Sequence, residues 1–177
     1  MSESKKLNSL SVVTSLGSGE YLLATDAQGN ARRISKTNGA RQVMEIACKE
    51  ACWIRIAEFN QAGNSIISIS NGWSSLTGGY ALIAGMYHAS AAYNKVSVLA
   101  NLSNYNAVNP VYKKIRSVCK SGSVGYVDFW YPGSSGNQNV IVEMIGARNM
   151  NLVTPEIDAS IPEGYTSVEF DLTVGGG

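Results

Sequence analysis

Apolar and polar residues alternate along most of this chain, and a period of two residues is the pattern of a β-strand with one buried face. In residues 53–59, Ile54 and Ile56 flank the charged Arg55, which gives the segment one dry and one wetter face. Residues 80–88 are apolar on both faces, as is typical of a central strand. Turn-forming residues separate the strand-like segments, which we place at 53–59, 65–70, 80–88, 95–102, 111–118, 125–131, 139–145, 150–153 and 167–174. This succession predicts an all-β sandwich or barrel.

The N-terminal part has a pattern of its own. Residues 20–25 are mostly apolar and residues 30–35 mostly polar, and Gly29-Asn30 between them suits the positive φ angles of a hairpin turn. An isolated hairpin is marginally stable in water. We therefore expect residues 1–38 to form a stem whose hairpin packs on the head or on its own copies in an oligomer.

Residues 39–52 allow two interpretations. Val43, Ile46, Ala47 and Ala51 fall roughly on one stripe of good helix formers, which favours a short helix. An extended linker into the next strand fits the same residues. The predicted organisation is a stem at 1–38, this linker or short helix at 39–52, and a β-sandwich head at 53–177.

Composition narrows the classes of function. Charged residues make up 15% of the 177 residues, against about 25% in an average soluble domain, and the net charge is +1. Nucleic-acid binding needs a clustered positive surface, so we expect no nucleic-acid partner. The start of the chain lacks the apolar region of a secretion signal, and no apolar run approaches membrane-spanning length. We expect synthesis in the cytosol and no membrane insertion.

Few residues are available for metal or acid–base chemistry. The three cysteines, Cys48, Cys52 and Cys119, are too few and too widely spaced for a structural zinc site with the single histidine, His88. His88 ends an apolar strand, where a half-exposed histidine is the simpler interpretation than a general base. We predict no metal and no cofactor.

Carboxylates are the remaining catalytic candidates. A glycosidase needs two of them facing one sugar, and Asp128 and Glu143 are examples of acids that the pattern places on strands. Single acids on the polar faces of strands are usually solvated. We predict no catalytic residues and expect that the chain is not an enzyme.

Binding is better supported than catalysis. Sugar sites on β-scaffolds combine a flat aromatic ring with amides and hydroxyls, because the ring stacks on the sugar while the polar groups bond its hydroxyls. Predicted loops and strand ends carry such sets, and the candidate ligand-binding residues are Trp73, Asn104, Tyr105, Trp130, Tyr131 and Asn137. The alternative is that these aromatic residues belong to the core or to a subunit interface.

Two stretches resemble parts of phage tail-fibre proteins. Ser9–Ser35, SLSVVTSLGSGEYLLATDAQGNARRIS, resembles the N-terminal repeat unit of tail-fibre-like proteins in phages and prophages of gut Bacteroides-type bacteria. Trp53–Glu58, WIRIAE, is similar to the strand that opens the trimeric knob of phage tail fibres, whose head is jelly-roll-like.

The resemblance implies a homotrimer located in the virion tail, in contact with other virion proteins and with a host surface glycan or protein. The expected function is therefore structural and receptor-binding. Two alternatives stay open, namely a stand-alone carbohydrate-binding or adhesion module and a hydrolase of surface polysaccharide.

Overall fold

The computed structural model describes residues 21–25, 31–35, 41–71, 78–103, 111–133 and 139–173, with side chains from residue 41 onward. The chain divides into two compact units, Met1–Asn38 and Gly39–Gly177. In the first unit, β1 (Tyr21–Thr25) and β2 (Ala31–Ser35) pair antiparallel, from Tyr21 opposite Ser35 to Thr25 opposite Ala31. This confirms the predicted strand pair, while the predicted turn at 26–29 lies outside the described residues.

The second unit contains eight strands, all paired antiparallel. Their bounds are β3 (Gln42–Ala47), β4 (Cys52–Asn71), β5 (Gly79–His88), β6 (Lys95–Ser103), β7 (Lys114–Cys119), β8 (Val124–Tyr131), β9 (Asn139–Ile157) and β10 (Thr166–Asp171). The only helical turn in the described ranges is the 3₁₀ segment Ala91–Tyr93. The all-β, antiparallel sandwich-like fold predicted from alternation is confirmed.

Two long strands, β4 and β9, belong to both layers of the sandwich. Residues 52–60 of β4 lie between β8 and the last part of β9, and β7 and β10 extend this layer to give sheet I. Residues 62–71 of β4 lie between β5 and the first part of β9, with β6 and β3 at the two edges of sheet II. Each layer therefore has five strands, and the layers are continuous through β4 and β9.

Irregularities that lie opposite each other on β4 and β9 let both long strands change layer. The β4–β9 register slips between Phe59 and Asn64, where Gln61 has a φ of 60° and Asn149, on β9, has a φ of 54°. A second slip between Asn64 and Ile66 accompanies Gly146 at a φ of 64°. Left-handed residues of this kind add an unpaired position and bend a strand, so the two strands bend together.

The core lies between the two layers and is filled by inward-facing aliphatic and aromatic side chains. Its largest fully buried members are Tyr87, Tyr112, Tyr131, Phe59, Phe129, Ile46, Ile54, Ile56, Ile67, Ile69, Ile83 and Ile115. At the bend the Phe59 and Tyr87 rings stack with centroids 5.9 Å apart. The Phe59 ring lies against Gly125, where any Cβ would overlap it. Glycine is therefore required there by close approach.

Three expectations need correction. Residues 42–47 form an edge strand paired with β9, because the apolar side chain of Ile46 completes the core; they are neither a helix nor a free linker. The predicted turn at 60–64 is a bend within one continuous strand, β4. The segments predicted at 139–145 and 150–153 are likewise one strand, β9. In both cases polar residues at a bulge were interpreted as a chain reversal.

Candidate functional site

Four of the six predicted binding residues, namely Trp73, Asn104, Tyr105 and Asn137, lie outside the described residues. The other two are neighbours on β8 and point in opposite directions. Tyr131 points into the core and has no exposed surface, because it lies with Phe129 on the inward face of β8. We therefore do not carry Tyr131 forward as a ligand contact. Trp130 is half-buried on the outer face of sheet I, edge-on to Trp53 with ring centroids 5.5 Å apart.

Next to this tryptophan pair, the outer face of sheet I carries a row of alternating charges. The strand registers align one residue from each of the five strands, in the order Glu156, Arg55, Asp128, Arg116 and Glu169. Asp128 is fully buried and accepts bonds from Arg55 Nε at 3.0 Å and Arg116 Nε at 2.9 Å. Burial raises the pKa of the Asp128 carboxyl, and the two guanidinium groups oppose that rise.

A chain segment after β9 covers the charge row. Arg55 donates to the carbonyl of Ser160 at 2.8 Å, and Arg116 donates to the carbonyl of Ala159 at 2.7 Å. The Ala159 N–H donates in turn to the Trp53 carbonyl at 2.8 Å. Both buried arginines thus donate to acceptors within the protein, and the centre of the row stabilises the fold instead of presenting charge to a ligand.

The two acids considered for catalysis lie on different layers. Asp128 is on the outer face of sheet I, whereas Glu143 is on the outer face of sheet II, where it pairs with the exposed Arg41. A sugar could not contact both carboxylates at once. This pair therefore provides no glycosidase geometry.

A polar groove lies at the bend where β4 and β9 change layer. Its volume is about 570 Å³, and Asn149, Asn151 and Val124 line it together with residues 58–61. Four of its lining residues are exposed carboxamides, which we call the amide groove: Asn60, Gln61, Asn149 and Asn151. Each carboxamide offers two donors and one acceptor, which matches the hydroxyl groups of a neutral sugar.

An aromatic pair adjoins the amide groove. A second depression of about 350 Å³ shares Asn149 with the groove and is lined in part by His88 and Tyr93. The Tyr93 side chain is 66% exposed and stands edge-on to His88, with ring centroids 5.1 Å apart. His88 Nδ1 accepts the Ser90 N–H at 2.8 Å, which fixes the imidazole at the end of β5. The predicted strand-end position of His88 is confirmed.

Backbone strain is concentrated in the groove. Of the three described non-glycine residues with positive φ, Gln61 and Asn149 both line it, while Asp158 is elsewhere. Asn tolerates the left-handed region, but Gln61 has no such tolerance and its conformation costs about 1 kcal/mol or more. The Gln61 carbonyl is held by the Ala89 N–H at 2.8 Å. The amides therefore project from a backbone fixed by bonds to neighbouring elements.

Metal ligands are not gathered in the part of the chain that the structure describes. Cys48 and Cys52 are buried with sulfur atoms 3.6 Å apart, and no group of three or more Cys, His, Asp or Glu side chains is placed to hold a metal ion among the described residues. Within the same ranges, no helix has the length and apolar content to cross a membrane.

Comparison of the chain with protein-family models, with curated proteins and with solved structures finds no match.

The amide groove was not among the predicted binding sites. Asn60 and Gln61 were assigned to a turn, and Asn149 and Asn151 are about 90 residues further along the chain, so only the strand register brings the two pairs together. The sequence indicates part of the groove, since an asparagine between strand-like segments, such as Asn149, is a frequent site of positive φ. Trp130, which was predicted, lies about seven residues along β4 from Asn60, or roughly 20 Å away.

Proposed function

We propose that this protein is a non-enzymatic receptor-binding protein of a phage or prophage tail fibre and that the amide groove binds a neutral glycan on the host surface. The observation that carries the glycan part of the proposal is the meeting of four exposed carboxamides in one groove on a rigid bend. The tail-fibre part rests on the resemblance of Ser9–Ser35 and Trp53–Glu58 to such proteins and on the β-sandwich head.

The chemistry of the groove favours an uncharged ligand. Amides bond to sugar hydroxyls in both directions, and the exposed Tyr93 ring beside them offers a face for the C–H side of a pyranose. Glu58 is the one carboxylate among the described lining residues of the amide groove, and it can accept a further hydroxyl bond. Arg148 lines only the adjoining depression, so no cluster of positive charge selects an acidic polymer.

Assembly of several copies would strengthen the overall binding of a weak site. A single shallow groove of this size supports modest affinity, whereas several copies on one particle engage a repetitive surface polymer together. In this proposal the chain is a homotrimer in the virion tail, bound to other virion proteins at one end and to the host glycan at the other.

The direct test uses matched asparagine variants. The purified chain is screened against immobilised neutral hexose and N-acetylhexosamine oligosaccharides, and hits are titrated by calorimetry. Asn151→Ala and Asn149→Gly should each weaken binding about tenfold, since each removes a bond worth about 1.4 kcal/mol. Glycine at 149 keeps the left-handed backbone.

Asn139→Ala is the control, because it removes an exposed amide from the same strand, β9, outside the groove. Equal losses for Asn139→Ala and Asn151→Ala would overturn the groove assignment. Release of reducing ends from a bound oligosaccharide would instead support the hydrolase alternative. Glycan binding by a chain that stays monomeric at all concentrations would support a stand-alone binding module.

A further inference from the structure

The outer face of sheet II carries two largely apolar rows, and the row between them holds Ser68 and Glu143. Cross-strand registers align Ile145, Ile66, Ala84 and Ser97 in one row and Ile141, Ser70, Tyr80 and Leu102 in another. We call this surface the open face, and its exposed large apolar side chains, each 37% to 62% exposed, are Val43, Ile66, Tyr80, Met86, Leu102, Ile141 and Ile145. No described segment within Gly39–Gly177 covers them.

The shape of the open face allows it to pack against another protein surface. A shallow groove of about 540 Å³ runs beside Ile66, Ala84 and Ile145, and Met86 stands at its side with 60% of its surface exposed. The small residues along the middle of the face let a second sheet approach to the spacing of about 10 Å at which sheets pack.

The margins of the open face carry charges of both signs, and the exposed Arg41 lies on the same side as Glu45. Lys95 lies on the edge strand β6, and Glu45 lies on the opposite edge strand β3. Glu143, next to β3, is paired with Arg41. A copy placed so that its β6 side meets the β3 side of the next copy would bring Lys95 towards Glu45. A membrane surface, by contrast, would favour a uniformly basic margin.

We infer that the open face is the contact between copies of this chain. The seven side chains expose on the order of 600 Å² of surface, close to the ~800 Å² that each partner contributes to a stable interface and at the upper limit for patches on monomers. Aliphatic side chains bond no sugar hydroxyls, so the open face and the amide groove serve different partners. The choice of a second copy also rests on the proposed function, in which several copies assemble.

Light scattering on a sizing column, over a hundredfold range of protein concentration, tests the inference. The unaltered chain should have a mass that is a multiple of 18.8 kDa. Met86→Glu and Ile66→Glu should each shift the midpoint of dissociation at least tenfold to higher concentration, because a charge would be buried against aliphatic side chains. Leu102→Gln, on the edge strand β6, should do the same with little risk to folding.

Ile161→Glu is the matched control, since Ile161 is 44% exposed in the segment that covers the other layer. A monomeric unaltered chain, or an assembly that none of the three open-face variants weakens, would overturn the inference. A different result would reject the proposed function. Glycan binding per chain should survive in the dissociated Ile66→Glu variant, because Ile66 lines neither depression at the bend, and its absence in every variant would reject the glycan proposal while leaving the open-face contact intact.

Discussion

On sheet I the three central members of a row of charged side chains are buried, whereas on sheet II a group of large apolar side chains is exposed. The row on sheet I places opposite charges side by side in five successive strands and is covered by carbonyls of residues 159 and 160. The matching rows on sheet II mix aliphatic residues with serine and Tyr80, and no described segment within Gly39–Gly177 covers them.

The difference shows that whether a side chain is buried in this protein depends more on a covering chain segment and on hydrogen-bonding partners than on whether the side chain is polar or apolar. Arg55 and Arg116 can be buried because Asp128 and the carbonyls of residues 159 and 160 accept their bonds and an aromatic ring lies against each guanidinium group. Arg55 lies 4.3 Å from the centroid of Tyr126, and Arg116 lies 4.2 Å from that of Trp53. On sheet II no described segment of Gly39–Gly177 supplies a covering layer, and a second copy could provide one.

The largest expected effect comes from breaking the charge row. Asp128→Asn removes the charge that neutralises two buried arginines, and breaking a buried pair in this way costs about 3–5 kcal/mol. We expect the free energy of unfolding, measured with urea by circular dichroism, to fall by that amount. Glu143→Gln on sheet II removes an acid from an ion pair with the exposed Arg41 and should cost less than about 1 kcal/mol. Equal losses in the two variants would contradict the contrast between the faces.

A smaller effect is expected from placing one hydroxyl on each face. Val118 is fully buried on the outer face of sheet I, and Val118→Thr should cost about 1–3 kcal/mol because its hydroxyl has no water to bond. Ile66→Thr should cost less than about 1 kcal/mol, since Ile66 is 38% exposed. Both are measured in the Met86→Glu background, where copies should not associate. A costly Ile66→Thr in that background would mean that the open face is packed within the monomer.

The smallest effect is expected at Cys48, where the chain passes from sheet II to sheet I. Burial, and then the neighbouring Cys52 thiol, raises the pKa of Cys48 from 9.0 to about 11. The folded state therefore keeps a proton that the unfolded chain releases, so this contribution to stability is complete below pH 9 and is lost as the pH rises to about 11. Cys48→Ala should show a shallower loss of stability across that window. A curve of stability against pH that runs parallel to that of the unaltered chain would refute the assignment of this pH dependence to Cys48.

Much of the fold could be predicted from alternation alone. The segments 80–88, 95–102 and 125–131 agree with β5, β6 and β8 to within one residue, because each has turn residues at both ends and one consistently apolar face. The error at 60–64 has a physical cause: a bulge in a long strand uses the same polar, turn-forming residues as a chain reversal. The helical interpretation of 39–52 failed because pairing with β9 outweighs helix propensity in residues 42–47.

The sites were less predictable than the strands. Aromatic residues beside amides selected both Trp130 and Tyr131, although neighbouring positions on a strand point in opposite directions and the Tyr131 ring is turned into the core. The charge row and the amide groove both depend on residues that are far apart in sequence and adjacent only through register. A pattern read along one strand carries no information about the strand beside it.

The sharing of β4 and β9 between both layers also governs when the protein can fold during its synthesis. Neither layer is complete until β9 has left the ribosome, because each half of β9 pairs with a half of β4 made about 70 to 100 residues earlier. At a synthesis rate of ~5–20 residues per second, β4 therefore waits several seconds for its partner. The nascent chain exposes apolar strand for that time, and a pause in translation before residue 139 would lengthen the exposure.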